Sequence, residues 1–155
     1  MAYAAEQADC LDRLDDKLRR ATALVPELFC RVIAEACTRI PVLGKAETTA
    51  RIDRLVEAGA WTDAVFALIE LETPTWKLRR LVYADGQWLC SLSRQPNLPV
   101  DLDDIVEASH EASALAVLRA FVEARRRSSA APGAMSAVPR VRPTSDQIIC
   151  CDNFA

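Results

Sequence analysis

The residue types most suited to chemistry in this chain gather around its single histidine. His110 is three positions from Glu107 and adjacent to Glu111. An imidazole titrates close to neutral pH, and a neighbouring carboxylate can orient it as a proton shuttle. Proton transfer also needs an acid, a nucleophile or a metal beside the ring, and the sequence identifies none. We therefore predict no catalytic residue, and catalysis by His110 is the third of three functional hypotheses.

The six cysteines do not form the pattern of a metal site or of a disulfide framework. Cys30 and Cys37 lie on one predicted helix, where their separation places the Cα atoms about 10 Å apart. A disulfide requires about 7 Å or less. There is no CxxC motif, and one histidine is too few for the usual zinc-ligand spacings. The internal cysteines are interpreted as small buried apolar residues, and we predict neither a metal nor a cofactor.

Phosphate-binding and nucleophile motifs are also missing from the sequence. Its four glycines fit none of the patterns GxGxxG, GxxxxGK and GxSxG. Two acidic clusters resemble metal ligands, but neither has the glycine-containing EF-hand pattern. Acidic residues near a helix N-terminus explain both clusters without a metal. The clusters are Asp12, Asp15 and Asp16, and Asp101, Asp103 and Asp104.

Composition indicates one globular domain, 1–127, followed by a disordered tail, 128–155. The chain has 155 residues, of which 51% are hydrophobic, and a net charge of −3. The tail is rich in Ser, Ala, Pro and Gly, and it ends with an apolar segment that contains Cys150 and Cys151. The negative charge gives no global field that would attract nucleic acid or an anionic membrane.

Neither a signal-peptide pattern nor a membrane-spanning apolar run is visible in the sequence. We therefore expect a cytoplasmic protein that makes no contact with a membrane. The prevalence of Ala and Arg suggests a bacterial source.

Helical periodicity predicts about five helices packed around a central one. The first, residues 4–24, presents a narrow stripe of Leu11, Leu14 and Leu18, which fits an outer helix on its own domain or a seam to a partner. The central helix is predicted at 63–72, which is apolar nearly all round, with Thr62 as its N-cap. The remaining helices are predicted at 27–39, 47–58 and 101–127.

A change from helical to alternating periodicity marks a β-hairpin over residues 76–93. The dipeptide Asp85-Gly86 between two such runs is a strong signal for a two-residue type I′ turn. That turn places Tyr83 opposite Trp88, Leu81 opposite Cys90 and Arg79 opposite Leu92. The predicted fold class is thus mainly α with one β-hairpin, an α+β fold.

The predicted register leaves apolar side chains on both faces of the hairpin. We expect one face to pack on the helices; it carries Tyr83, Leu81, Trp88, Cys90 and Leu92. A hairpin alone is barely stable, so the other face should be covered by the last helix or by another molecule. We predict that this second face is an interaction surface, formed by Trp76, Leu78, Arg80, Val82 and Leu89.

Three functions compete on these observations. The first is a protein–protein interaction or regulatory module without catalytic activity, which binds a protein partner or a second copy of itself. The second rests on the order helix, helix, helix, hairpin, which resembles the winged-helix arrangement of nucleic-acid-binding regulators, with 63–72 as recognition helix. That helix contains no Lys, Arg, Asn or Gln, which disfavours nucleic-acid binding. The third, an enzyme, requires a cleft in which His110 meets Trp76, Tyr83 or Trp88 and a carboxylate.

Overall fold

The computed structural model describes residues 2–43 and 47–130. Their elements confirm the predicted α+β fold, which is mainly helical with an antiparallel sheet. The helices in these ranges are α1 (Ala2–Arg20), α2 (Pro26–Ala36), α3 (Ile40–Leu43), α4 (Glu47–Glu57), α5 (Trp61–Glu72) and α6 (Ser113–Ala130). The strands are β1 (Lys77–Ala84), β2 (Gln87–Ser93) and β3 (Ile105–His110), with a 3-10 turn at Val100–Leu102. Of the predicted tail, residues 128–130 continue α6, and the rest lies outside the described residues.

The core is organised around α6 rather than α5. Nine residues of α6 are buried, and this helix contacts α1, α5, β2 and β3. Five apolar residues of α5 are buried, as its composition predicts, together with Glu72, but its main neighbours are α4 and α6. The leucine stripe of α1 is at most 1% exposed, and α1 packs mainly on α6. The stripe therefore belongs to an outer helix of its own domain and is not a seam to a partner.

The predicted helix over 101–127 is wrong in its first part, where the chain forms β3. Within β3 the side chains alternate, so that Val106 and His110 are buried while Glu107 is exposed. The β-branched pair Ile105-Val106 also favours a strand. Leu102, Ile105 and Val106 satisfy the i, i+3, i+4 spacing of a helix equally well, and this ambiguity is the source of the error.

The hairpin has the predicted turn but contains an irregularity in β1. Asp85 and Gly86 both adopt positive φ, 52° and 80°. The pairs Tyr83–Trp88 and Leu81–Cys90 are confirmed. The predicted partner of Arg79 is wrong, because a β-bulge lies between positions 78 and 80 and Leu78 pairs with Leu92 instead. A bulge inserts one residue into a strand, so the residues before it change face relative to a regular strand.

Polar contacts at the two ends of α5 connect it to other parts of the chain, and neither was predicted. The helix α5 begins at Trp61, so Thr62 is not its N-cap; the Thr62 hydroxyl lies 3.2 Å from Ser113 Oγ at the start of α6. Glu72 at the end of α5 is 3% exposed. Its carboxylate accepts backbone N–H bonds from Thr38, Arg39 and Ile40 at 2.9, 2.8 and 2.7 Å. This side chain ties the connection between α2 and α3 to the C-terminal end of α5.

Candidate functional site

The two outer edges of the sheet differ in whether side chains from other elements contact them. The strand order is β1-β2-β3, so β1 and β3 each have one edge that is unpaired within the sheet. Two arginines of α6 reach that edge of β3. Arg119 Nη1 donates to the Ser109 carbonyl at 2.5 Å, and Arg127 Nη1 donates to the Ile105 carbonyl at 2.9 Å. These side chains occupy outward-facing carbonyls of β3 and obstruct the approach of another strand.

No comparable cap covers β1 within the described ranges. Its backbone pairs with β2, and no side chain in this part of the chain bonds to a β1 amide or carbonyl. The outward-facing amides and carbonyls of an edge strand can pair with a further strand. The bulge interrupts the ladder at Arg79, so the regular part of this open edge is residues 80–84.

Exposed apolar side chains are concentrated in β1 and in the loop between β2 and β3. Of nine large hydrophobic residues that are exposed in the described ranges, six lie between positions 78 and 102. Three belong to β1 and three to the loop between β2 and β3: Leu78, Val82, Tyr83, Leu98, Val100 and Leu102. We name these six residues the edge cluster. Leu78 and Tyr83 lie on one face of the sheet and Val82 on the other. Val100 borders a pocket that Ser91, Ile105 and Glu107 also line. A local concentration of exposed apolar residues is more typical of a contact site than single ones are.

Arg79 holds the loop part of the edge cluster beside β1. Its Nη1 donates to the Asp103 carboxylate at 2.7 Å and to the Leu98 carbonyl at 3.3 Å. Asp103 also accepts hydrogen bonds from the Ser93 hydroxyl and from the Gln95 backbone N–H. Burial alone would raise the pKa of Asp103, but these two hydrogen bonds and the Arg79 charge hold that pKa below its ordinary value. Asp103 therefore stays ionised at neutral pH and anchors the loop.

The structure separates the five residues of the predicted interaction surface. Trp76 is 1% exposed, and it is not available to a partner. Leu78 is exposed, but it lies before the bulge and on the same side of the sheet as Leu92, away from the predicted face. Arg80, Val82 and Leu89 do share the outer face, where Leu89 is half-buried. The bulge accounts for the difference, because it changes the face of the residues that precede it.

The outer face of the sheet is more polar than the hairpin sequence indicates, because β3 contributes to it. The Ser91 hydroxyl donates to Glu107 Oε1 at 2.7 Å, and Arg80 Nη2 lies 3.6 Å from the same oxygen. Val82 and Leu89, which pair across β1 and β2, form a short apolar strip near the turn. The last helix does not cover this face, since α6 packs on the opposite one. The apolar side chains that β1 leaves exposed are Leu78, Val82 and Tyr83, on both faces of the sheet.

His110 lies on β3, and a strand gives it other neighbours than a helix would. It pairs with Trp88, whose ring centroid lies 5.4 Å from that of Tyr83. Glu107 points to the opposite face of the sheet and is no partner for the imidazole. Of the aromatic residues expected around His110, Tyr83 and Trp88 share its row across the sheet, whereas Trp76 precedes the far end of β1.

An open pocket of about 500 Å³ adjoins His110 at the C-terminal end of α1. The Ala112 backbone N–H donates to His110 Nδ1 at 3.0 Å, which leaves the proton of the neutral ring on Nε2. The other charged lining residues are Arg19, Arg20, Glu111 and Arg119. The lining also includes the hydroxyl residues Thr22 and Ser109, and its one carboxylate is that of Glu111, so it holds no carboxylate pair of the kind that glycoside hydrolysis requires. Within the described ranges, no group of three His, Cys, Asp or Glu residues could hold a metal ion.

The cysteines in the described ranges are free thiols of different exposure. Cys37 and Cys90 are buried as predicted, and burial raises the pKa of both, that of Cys90 to about 12. Cys30 is exposed, contrary to the prediction, because it lies on the side of α2 away from Phe29 and Val32. Cys10 is half-buried and donates to Glu35 Oε2 at 3.7 Å. Cys150 and Cys151 lie outside the described residues.

The helix that would enter the major groove in a winged-helix arrangement is packed inside the molecule. Half of α5 is buried, and the exposed charged residues on it are Asp63 and Glu70. Acidic side chains repel phosphate, so this helix offers no surface for a DNA backbone. The element order also differs from helix, helix, helix, hairpin, because β3 follows the hairpin and pairs with β2.

No helix in the described ranges combines the length and apolarity that a membrane span needs. Comparison with family models, with curated proteins and with solved structures finds no match for this chain.

Proposed function

We propose that this chain is a protein-interaction module that binds an extended segment of a partner protein along the open edge of β1. The observation that carries the proposal is the asymmetry of the sheet. Arginines of α6 occupy the free edge of β3, and no side chain in the described residues occupies that of β1. An added strand gains main-chain hydrogen bonds from such an edge and specificity from alternate side chains.

The edge cluster supplies apolar contacts on both sides of an added strand. Val82 lies on the outer face, and Tyr83 lies on the face that carries Trp88. Successive residues of an added strand point to opposite faces, so neighbouring apolar residues of the partner could contact both. Leu98, held near β1 by Arg79, extends the contact area beyond the regular part of the edge.

Charge distinguishes a partner protein from a second copy of this chain. Lys77, Arg79 and Arg80 are cationic, and β1 contains no acidic residue. Asp103 pairs with Arg79, and Arg80 lies 3.6 Å from Glu107 at an exposed site. Pairing two β1 strands would therefore bring together mainly Lys77 and Arg80 of each copy. Like charges on adjacent strands are unfavourable. An acidic and apolar segment fits this edge better, and we therefore propose a heterologous partner rather than a homodimer.

Selection from a displayed library of random peptides tests this function on the full chain. Selected peptides should combine acidic residues with β-branched or aromatic ones. Their binding should be lost in Val82→Asp, which places a negative charge beside the open edge. The matched control is Val42→Asp on α3, because Val42 is also an exposed valine, at 84%, but lies outside the edge cluster. Selected peptides that bind Val82→Asp as well as the wild type would refute the proposal.

A further inference from the structure

We propose that the open pocket beside His110 binds the phosphate group of a small organic molecule. The pocket lies where the C-terminal end of α1 meets the last residues of β3 and Arg119 of α6, and its volume is about 500 Å³. Sites for small organic ligands have volumes of roughly 300–1,000 Å³. The inference does not depend on the proposed function, since the described lining of this pocket contains no residue of β1.

A buried ring with an unused hydrogen-bond donor lines this pocket. His110 is 8% exposed, and its Nδ1 accepts the Ala112 N–H, so the neutral ring carries its proton on Nε2. Within the described ranges no group accepts a hydrogen bond from Nε2. The fully enclosed side-chain atom without a partner in these ranges is Arg126 Nε. His110 Nε2 is therefore not enclosed, and it can donate to a ligand oxygen in the pocket that His110 lines.

Positive charge exceeds negative charge around the pocket. A single carboxylate, that of Asp15, pairs with both Arg119, at 2.8 Å, and Arg19, at 3.1 Å. Arg20, in the last turn of α1, forms no ion pair within the described ranges. Glu111 is the acidic residue of the lining. Three guanidiniums thus face two carboxylates, and the C-terminal end of α1 adds at most about half a negative charge. The balance remains positive and attracts an anion.

The donors approach the pocket from three elements, which suits a tetrahedral oxyanion better than a planar one. Two arginines belong to the end of α1, His110 belongs to β3, and Arg119 belongs to α6. Each Nη of Arg119 carries a second N–H beyond those bonded to Asp15 and Ser109. A phosphate monoester has three strong acceptor oxygens that point to different sides. The two oxygens of a carboxylate lie in one plane, so they can meet fewer of these donors.

Titration of the isotope-labelled full chain with sodium phosphate tests the site by NMR at neutral pH, with the ionic strength held constant by sodium chloride. We expect saturable shifts of the His110 ring and of the Ala112 amide that bonds to it, with a Kd of about 1 mM. Sodium acetate should bind about tenfold more weakly, because it offers fewer oxygens and less charge. Glycerol 3-phosphate should bind at least as tightly as phosphate, since the pocket has room for the organic part.

Four variants locate the binding in this pocket. His110→Asn retains an acceptor for the Ala112 N–H but loses the Nε2 donor, and we expect about tenfold weaker phosphate binding. Arg20→Gln removes the unpaired cation and should weaken binding about fivefold. Glu111→Gln removes a negative charge and should strengthen binding about threefold. The matched control is Arg31→Gln, because Arg31 is also exposed but lies on α2 outside the lining; its Kd should stay within about twofold of the wild type.

Three results would overturn the inference. The first is a shift that grows with phosphate concentration without saturating. The second is equal weakening in Arg20→Gln and Arg31→Gln, because general charge attraction would then explain the binding. The third is acetate binding as tight as phosphate binding. Arg20→Gln and Glu111→Gln change exposed side chains, so their opposite effects on the Kd test the site even if His110→Asn does not fold.

Discussion

Arg119 of α6 forms a two-point ion pair with Asp15 of α1. Its Nε lies 2.8 Å from one carboxylate oxygen, and its Nη2 lies 3.3 Å from the other. Both side chains are largely enclosed, with 13% and 17% exposed. Since Arg119 also donates to the Ser109 carbonyl on the free edge of β3, one guanidinium joins two helices and closes a strand edge. Helix packing and edge protection therefore depend on the same residue.

Replacing Arg119 should cost more stability than replacing an exposed arginine of α1. In Arg119→Met the partly buried Asp15 loses its main partner, and we expect the free energy of unfolding to fall by about 2 kcal/mol. Arg13→Met is the control, because Arg13 and Asp9 form an exposed pair, and such pairs contribute at most about 0.5 kcal/mol. Urea unfolding followed by circular dichroism measures both variants. Equal losses would show that the Arg119 contacts do not stabilise the fold.

The lowered pKa of Asp15 predicts that the free energy of unfolding decreases in acid. Burial alone would raise the pKa of this carboxyl, but hydrogen bonds and charge from Arg119, with the charge of Arg19, lower it below the ordinary value. The unfolded chain, with a pKa of about 3.9, then binds more protons than the folded chain in acid. The stabilisation by the ionised carboxylate is full above about pH 5 and is lost as the pH falls through the folded pKa.

The stability difference between the wild type and Asp15→Asn measures this contribution. We expect a constant difference between about pH 5 and 8, which decreases below about pH 4. Asp16→Asn is the control, since Asp16 is exposed and its stability difference should be small throughout. A difference for Asp15→Asn that persists unchanged at pH 2 would contradict the role assigned to the ionised carboxylate.

Glu72 should contribute strongly to stability although it is one of the acidic residues of an otherwise apolar helix. Glu72→Ala leaves the N–H groups of Thr38, Arg39 and Ile40 without their acceptor. We expect a loss of about 3 kcal/mol in the free energy of unfolding, since each unsatisfied buried donor is costly. Glu70→Ala is the control two positions away, because the Glu70 side chain is 67% exposed. A loss no larger than that of the control would mean that water replaces the carboxylate at these amides.

The sequence predicts the elements whose signals are local. Asp85-Gly86 specifies the hairpin turn, and the leucine stripe of α1 and the apolar composition of α5 identify buried helix faces. Each of these patterns is complete within a few residues, so no knowledge of distant contacts is needed. They are sufficient for the fold class and for most helices.

The features that the sequence analysis missed depend on long-range pairing. Strand β3 is stabilised by pairing with β2, and its own pattern fits a helix as well. The bulge at Arg79 leaves no glycine or proline as a marker, and it is visible only when β1 is aligned with β2. The open edge of β1 could not be recognised either. It depends on the strand order of the sheet and on the contacts of Arg119 and Arg127 with β3, and no local sequence pattern indicates these features. The site thus requires the tertiary structure, although Val82, Arg80 and Leu78 were among its predicted residues.

Thiol reactivity should separate the cysteines by burial. Cys90 has a pKa raised to about 12 by burial, so its thiolate fraction at pH 8 is about a thousandfold below that of an ordinary thiol. Cys30 is exposed and should react with iodoacetamide at the ordinary rate. Mass spectrometry of the digested protein after timed labelling gives the rate at each position, and labelling in urea, where burial is removed, provides the reference. Labelling of Cys90 as fast as Cys30 in the folded protein would mean that β2 opens readily, which is incompatible with a rigid sheet presenting the β1 edge.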